Sequence, residues 1–440
     1  MVRWGGVADD FTGATDLAAN WVARGLRTSV SLGVPEADQL PRLAAMDAVV
    51  VALKTRTAPV ADAVGQSLAA LDALRGLGCT RFYDKYCSTF DSTPRGNIGP
   101  VGDALMAALD ADVAVVVPSF PANGRTVYHR QLFVGDRLLG ESSMRHHPLT
   151  PMTDSDVVRL LTPQTVNRVV SVPLPVVRGG PDALRGALRA AGGEGRAYAV
   201  VDAVDDADLA CIARATADHV LVTGGSGLAL GLPRGDGDAS AAMPVEPGFR
   251  AVLAGSASAA TRRQLAAARG SVAARKLDLA ALRADPAGEV ARLTRWARER
   301  WSAAPDAPVL VHSVDEADGP DDPNNAVGQN GQNGQNGQNG QDAVPPGGRP
   351  AAELVEEALA ACAVAFAAAG ARQFIVAGGE TSGSVVQALG VRRLDLGPAL
   401  APGVSWAHGA AADGRAYNLA LKSGNFGRQD IFTSGWEAIS

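Results

Sequence analysis

The chain has 440 residues, 47% of them hydrophobic and 20% charged, with a formal net charge of −6. This is an ordinary globular composition, long enough for two domains. An acidic balance without a concentrated basic face excludes phosphate-backbone binding as the main task, so the partners expected are small molecules, with no nucleic acid and no membrane.

The opening residues Met1-Val2-Arg3-Trp4-Gly5-Gly6 lack the apolar core of a signal peptide, and the Ala-rich run at 358–371 is too short and interrupted to span a bilayer. A cytoplasmic protein is expected. Ala8-Asp9-Asp10-Phe11-Thr12-Gly13-Ala14-Thr15-Asp16 then sets two adjacent carboxylates between an apolar start and a helical pattern, in which Leu17, Ala18, Trp21 and Val22 recur on one face. Gly25 and the run Thr28–Leu32 read as a stop and a second strand, giving a β-turn-α-β unit. In open parallel sheets, ligands sit beyond the carboxyl ends of strands, where helix amino termini offer free N–H groups to anions. Asp9 and Asp10 stand at such a turn, although an Asp there is also an ordinary helix cap.

Strand-like runs continue at Ala48–Leu53, Arg81–Tyr83, Val113–Val117, Val169–Val172, Ala199–Val201 and Val220–Val222, alternating with helical patterns. This predicts a mainly parallel sheet covered by helices. The Gly/Pro-rich passage Gly231–Gly248 marks a boundary between domains expected at 1–245 and 249–440, and β-turn-α units recur at Gly255–Thr261, Phe374–Gly390 and Tyr417–Gly427. A Gln-Asn-Gly repeat at Gly328–Gln341 lies in a polar stretch at about 319–348 that buries no apolar area, and it is expected to be a disordered loop.

Cys79, Cys87, Cys211 and Cys362 form no CxxC and no cluster with the six His, so free thiols are expected and structural zinc is not. Only Lys54, Lys85, Lys276 and Lys422 are lysine among 40 basic residues. Three of the four follow apolar strand-like runs, where a compact ammonium meets a phosphate or carboxylate differently from the planar Arg fork.

The fragment from Asp84 to Gly99 gathers hydroxyls, Lys85, Arg95 and Asp91 into one loop between a strand and a helix starting near Pro100. It suits a polyhydroxylated acid: Lys85 or Arg95 holds the carboxylate, and Asp91 with Ser88 and its neighbours takes the hydroxyls. Lys54-Thr55-Arg56-Thr57 and Asn123-Gly124-Arg125-Thr126 end two other strands and point to the same crevice. The second half has no GxxxxGK[ST] loop, and nowhere does a GxGxxG with a downstream acid support a dinucleotide fold. Three small-residue turns stand there instead, at Gly255–Thr261, Gly378–Gly383 and Lys422–Gly427, whose glycines let backbone N–H groups approach phosphates.

These motifs together resemble the four-carbon acid sugar kinases: the Asp9-Asp10 turn, Lys85-Tyr86-Cys87-Ser88-Thr89-Phe90-Asp91-Ser92-Thr93, Gly96–Pro100, Pro121–Thr126, Gly378–Gly383 and Lys422–Gly427. The likeness covers nearly the whole chain, and the Gln-Asn-Gly insertion is its one departure. It implies two α/β domains, each a mainly parallel sheet flanked by helices, with the active site in the interdomain cleft. The first would bind the sugar acid and the second ATP, with Mg²⁺. The implied activity is phosphorylation of the terminal 4-hydroxyl of a four-carbon acid sugar. The Lys85 loop, His147–Met152 and the ending Leu419–Gly427 look most like the branch acting on 3-oxo-tetronate. D-threonate, L-threonate and D-erythronate kinases, or a non-catalytic sugar-acid sensor, are the alternatives.

Among the residues, the resemblance assigns Ser258, Gly378, Gly379, Glu380, Thr381, Ser423 and Gly424 to the nucleotide. Asp10 is the candidate general base, with Asp9 and Asp91 as rivals, and Lys85, Arg56 and Arg125 neutralise the substrate carboxylate or the transferring group. The sequence names no metal ligand and leaves a homo-oligomer open.

Overall fold

The computed structural model describes residues 4–146, 150–234, 243–314, 349–401, 403–424 and 426–439. The Gln-Asn-Gly repeat and residues His147, Pro148 and Leu149 lie outside them. The chain divides into two compact units, Met1–Ser240 and Ala241–Ser440.

In the first unit the strands are β1 (Trp4–Ala8), β2 (Thr28–Leu32), β3 (Ala48–Ala52), β4 (Arg81–Lys85), β5 (Val113–Val117), β6 (Arg125–Tyr128), β7 (Gln131–Val134), β8 (Arg137–Leu138), β9 (Arg168–Val172), β10 (Ala197–Val201) and β11 (Leu221–Gly224). Eight of them form one sheet in the order β2-β3-β1-β4-β11-β5-β10-β9, every pair parallel. Runs such as Ala48–Ala52 and Val113–Val117 are apolar without alternation because helices cover both faces of a parallel sheet. The helix Phe11–Val22 buries Trp21, whose ring lies 5.8 Å from Trp4 and 6.1 Å, edge-on, from Tyr83. The expected strands at Arg81 and Val220 run two residues further than their apolar cores, so that Lys85 and Gly224 are strand ends and not loop residues.

The sequence reading misses β6-β7-β8, a small antiparallel sheet. Arg125 and Thr126 therefore begin a hairpin and do not end β5: the chain leaves β5 at Val117, makes a short 3₁₀ turn at Pro121–Asn123, and enters β6.

The second unit holds β12 (Phe249–Ala254), β13 (Ala273–Lys276), β14 (Val309–His312), β15 (Ala371–Ala377), β16 (Val391–Ala401), β17 (Val404–Ala411) and β18 (Ala416–Lys422). Their order is β13-β14-β12-β15-β18-β17-β16. The first five are mutually parallel, and β16 and β17 join them as antiparallel strands. The register of β16 on β17 slips between Leu396 and Ala401, either side of Pro398, where the ring removes a ladder N–H.

Candidate active site

The carboxyl edge of the first sheet is aligned by register: Ala8 pairs with Ala52 on one side and Lys85 on the other, and Gly224 pairs with Lys85 and Val117. The loops leaving these strands are tied to one another by backbone bonds. Asp9 N–H donates to the Lys85 carbonyl at 3.0 Å, Thr55 N–H to the Asp9 carbonyl at 3.0 Å, and Tyr86 N–H to the Gly224 carbonyl at 3.1 Å. Asn97, just before the helix Ile98–Leu109, donates through Nδ2 to the carbonyls of Thr55 at 2.6 Å and Ala58 at 2.8 Å, and so fixes the loop that carries Arg56.

Arg56 is the centre of the carboxylate group. Its Nε and Nη2 meet Asp9 Oδ2 and Oδ1 at 2.8 and 2.9 Å, Nη2 lies 3.0 Å from Asp10 Oδ1, and Nη1 lies 3.7 Å from Asp91 Oδ2. Asp10 also caps the helix Phe11–Val22, Oδ1 accepting from Gly13 N–H at 2.9 Å. The capping reading of this residue therefore holds, and the cap leaves its carboxylate beside Arg56. Burial raises the Asp9 carboxyl above the usual range despite Arg56. Burial also pushes Asp10 upward, but Arg56, Lys85 and the Gly13 N–H outweigh it and hold Asp10 below that range. Arg56 keeps its charge, since the pull of Asp10 and Asp9 overcomes desolvation. The Asp10 side chain is 31% exposed against 17% for Asp9, so Asp10 is the more accessible of the two.

Lys85 is buried, its Nζ donating to the Tyr86 carbonyl at 2.9 Å. A Cβ at Gly13 would lie 2.7 Å from that Nζ and 2.3 Å from Asp10 Oδ1, so only glycine lets both groups converge on the first turn of the helix. Asp91 is buried and accepts from the Thr150 hydroxyl. Ser88 packs on the Gly225 turn, and Arg125 donates through Nη1 to the Asn123 carbonyl while its buried Nε has no partner. Burial lowers the Arg125 pKa, opposed by nearby Cys87 and Asp16.

Several neighbours have partners or surroundings that the sequence does not announce. Asp16 accepts from Ser226, more than 200 residues away, and burial raises its pKa above the ordinary value. Asp84 is pushed up to about 8 by burial and by the Asp9 charge. Ser67 Oγ, Asp84 Oδ2 and Asn97 Oδ1, all buried without a partner, line one cavity of about 20 Å³ beside Asp9 and Arg56, room for little more than a water.

The second unit repeats the logic at its own carboxyl edge, where Ala254, Ala377 and Lys422 are register partners on neighbouring parallel strands. The three glycine turns therefore leave the sheet side by side. Ser258 caps the helix Ala259–Ala268, accepting from Thr261 N–H at 3.2 Å, and donates to the Gly424 carbonyl at 2.6 Å; the Thr261 hydroxyl donates to the same carbonyl at 2.9 Å. Gly378, at φ 130°, and Gly379 open the helix Gly379–Ala388. Thr381 is buried against Gly255 and Gly378, where added Cβ atoms would come within 2.2 and 2.8 Å of its hydroxyl. Gly424 leaves no room either, a Cβ there falling 2.2 Å from Ser256 Oγ. Glu380 is exposed in the first helical turn and Ser423 half-buried. Bare backbone at three adjacent strand ends, with two helix amino termini, is the chemistry of a polyphosphate cradle.

The four cysteines are free, three of them buried. Among the described residues no helix is long and apolar enough to cross a membrane, and no three acid, His or Cys side chains are grouped to hold a metal.

Residues 4–232 match the family model described as a sugar-binding N-terminal domain, and residues 251–432 the one described as a nucleotide-binding C-terminal domain. A 3-oxo-tetronate kinase of Cupriavidus necator is 45% identical, covering 97% of this chain and 95% of its own. Another, of Escherichia coli K12, is 43% identical over 91% of this chain and 99% of its own. A crystal structure from Salmonella typhimurium LT2, 40% identical, covers 99% of both chains at a TM-score of 0.84, and a Haemophilus influenzae protein, 37% identical, covers 97% of this chain and 98% of its own at 0.74. A sugar-binding and a nucleotide-binding domain in one chain define a sugar phosphotransferase. The chain belongs to the four-carbon acid sugar kinase family.

Proposed function

We propose that this protein transfers the γ-phosphoryl group of ATP to the terminal 4-hydroxyl of 3-oxo-tetronate, releasing ADP and 3-oxo-tetronate 4-phosphate in the cytoplasm. The relatives named for that activity support the substrate. The observation that carries the chemistry is the half-open Asp10 carboxylate at the amino end of a helix, beside an Arg56 fork that leaves Asp9 fully paired. Residues 1–245 take the sugar acid and 249–440 the nucleotide.

In the transfer step the C4 oxygen bonds to the γ-phosphorus as the bond to the β-phosphate oxygen breaks, and the hydroxyl proton goes to Asp10. A carboxylate held below its usual pKa is a weak base, yet it aligns the hydroxyl, which suffices for a loose transition state in which the attacking oxygen loses its proton late. Lys85, Arg56 and Arg125 supply positive charge toward the substrate carboxylate and the transferring group, while Ser88 and Asp91 take its hydroxyls. Ser258, Gly378, Gly379, Glu380, Thr381, Ser423 and Gly424 form the ATP cradle, whose turns pack so closely on Thr381 and Ser256 that Gly255, Gly378 and Gly424 leave no room for a Cβ. A Mg²⁺ carried by the phosphates would neutralise their charge.

The test is ADP release with Mg²⁺ and ATP over a panel of 3-oxo-tetronate, D- and L-threonate and D-erythronate. The 3-oxo acid should give the highest kcat/KM. Higher turnover of a threonate or erythronate would move the substrate within the family, and binding of an acid without ADP release would make the protein a sensor.

A further inference from the structure

Lys422 ends β18 within the glycine turns, yet it belongs to none of the nucleotide contacts assigned above. Its side chain is 1% exposed. Nζ donates to Thr261 Oγ1 and to the Gly424 carbonyl, both at 3.1 Å. Two donated bonds are what a neutral amine can make. An ammonium has a third N–H, and here it has no described acceptor and no carboxylate beside it.

The charged residues on the surrounding elements are Arg262 and Arg263 on the helix Ala259–Ala268, Glu380 on the helix Gly379–Ala388, and Arg428 and Asp430, which pair with each other beyond the last turn. None of them compensates Lys422: burial alone acts on it and pulls its pKa from 10.5 down to about 7. The site is nonetheless built around the amine. Gly424 O takes three donors, from Ser258, Thr261 and Lys422, and Gln264 Nε2 holds the carbonyls of Phe426, Gly427 and Arg428 at 3.0 to 3.1 Å. These bonds turn the carbonyls of Gly424, Phe426, Gly427 and Arg428 toward Ser258, Thr261, Lys422 and Gln264.

We propose that Lys422 couples nucleotide binding to proton uptake: pinned between Thr261 and the Gly424 carbonyl without a counter-ion, its amine becomes a full ammonium when the polyphosphate of ATP or ADP enters the turns. The inference rests on the assignment of the nucleotide to this unit. The bound anion supplies both what the charged form lacks, a negative partner and an acceptor for the third N–H, so the proton comes from solvent and the pair forms together. Lys422 is then a positioning residue whose charge is conditional on its ligand.

Calorimetry of ADP binding, repeated at pH 8 in buffers of different ionisation enthalpy, reads the proton count directly on the wild-type protein. Uptake approaching one proton per ADP is expected, falling toward zero at pH 6, where the amine is already charged. Above pH 7 the ADP Kd should weaken about tenfold per pH unit, the ADP phosphates being fully ionised there. In Lys422→Met the uptake and the pH slope should both vanish, with Kd raised, while Lys422→Arg, charged throughout, should bind without uptake; 3-oxo-tetronate binding and the melting temperature report whether each variant is folded. ADP binding without proton uptake in the wild type, or uptake that persists in Lys422→Met, overturns the coupling. Failure of ADP to bind the wild type at any pH overturns instead the reading of this unit as the nucleotide site.

Discussion

Arg56 and Asp9 form a fork-to-fork pair, Nε to Oδ2 at 2.8 Å and Nη2 to Oδ1 at 2.9 Å, although 47 residues separate them in the chain. The pair is possible because β1 and β3 are adjacent and in register, so both loops start from the same edge. It does more than bind two residues: the same guanidinium also reaches Asp10 and Asp91, and three carboxylates share one cation. Arg56→Lys keeps the charge and loses the fork. The expected outcome is a kcat/KM lower by ~100-fold through misplaced carboxylates, with the fold retained by circular dichroism. Activity within a few-fold of wild type would show that charge, and not geometry, is what Arg56 provides.

Asp9 and Asp10 should separate under the same isosteric change. Asparagine is as good a helix cap as aspartate but lacks the charge that Arg56 and Lys85 favour, so Asp10→Asn should fold with some loss of stability and lose roughly two to four orders of magnitude in kcat, the usual share of general acid–base catalysis. Asp9→Asn loses part of the Arg56 fork but removes a carboxylate whose charge burial disfavours, so it should cost less stability than Asp10→Asn and less in kcat. Urea denaturation and steady-state kinetics on both variants make the comparison. A larger kcat loss in Asp9→Asn than in Asp10→Asn would exchange the two catalytic roles.

The Asp9-Asp10 turn, the loop after β4 and the three glycine turns are legible in the sequence because each is local: an apolar run, a break, then helical periodicity. What escapes the sequence is of another kind. Asp16 meeting Ser226, Asn97 clasping Thr55, and Lys422 against the Thr261 hydroxyl are contacts across the chain, set by strand order, which no window of residues contains. The antiparallel strands β16 and β17 escape for a local reason. Pro398 and Gly397 interrupt the alternation that marks a strand, and the slipped register absorbs them.

Asp84 makes a prediction about pH. Its folded pKa of about 8 lies above its ordinary 3.8, so the folded state holds a proton that the unfolded state has released. Its contribution to stability is fully present below about pH 4 and is lost as pH rises toward 8, with a slope of up to about 1.4 kcal/mol per pH unit. Asp84→Asn has the shape of the neutral acid and no proton to lose. It should match the wild type near pH 4, flatten the decline above it, and melt higher at pH 8. A variant that keeps the wild-type slope in urea titrations from pH 5 to 8.5 would place the titrating group elsewhere.

Gly424 offers the complementary test in the second unit. An alanine Cβ would lie 2.2 Å from Ser256 Oγ and 3.1 Å from Ser258 Oγ, so the turn or both serines must shift. Ser258 is the cap of the helix Ala259–Ala268 and donates to the Gly424 carbonyl, so the strain falls on the hydrogen bonds that shape the cradle. Gly424→Ala should therefore raise the KM for ATP by ~10-fold or more, since losing one such bond costs about 1 to 1.5 kcal/mol. The Kd for 3-oxo-tetronate should stay at the wild-type value, because the residues assigned to it all lie in the first unit. The two affinities, measured by calorimetry on the same preparation, decide the matter. Were Gly424→Ala to weaken the sugar acid and spare ATP, the assignment of ligands to the two units would be inverted.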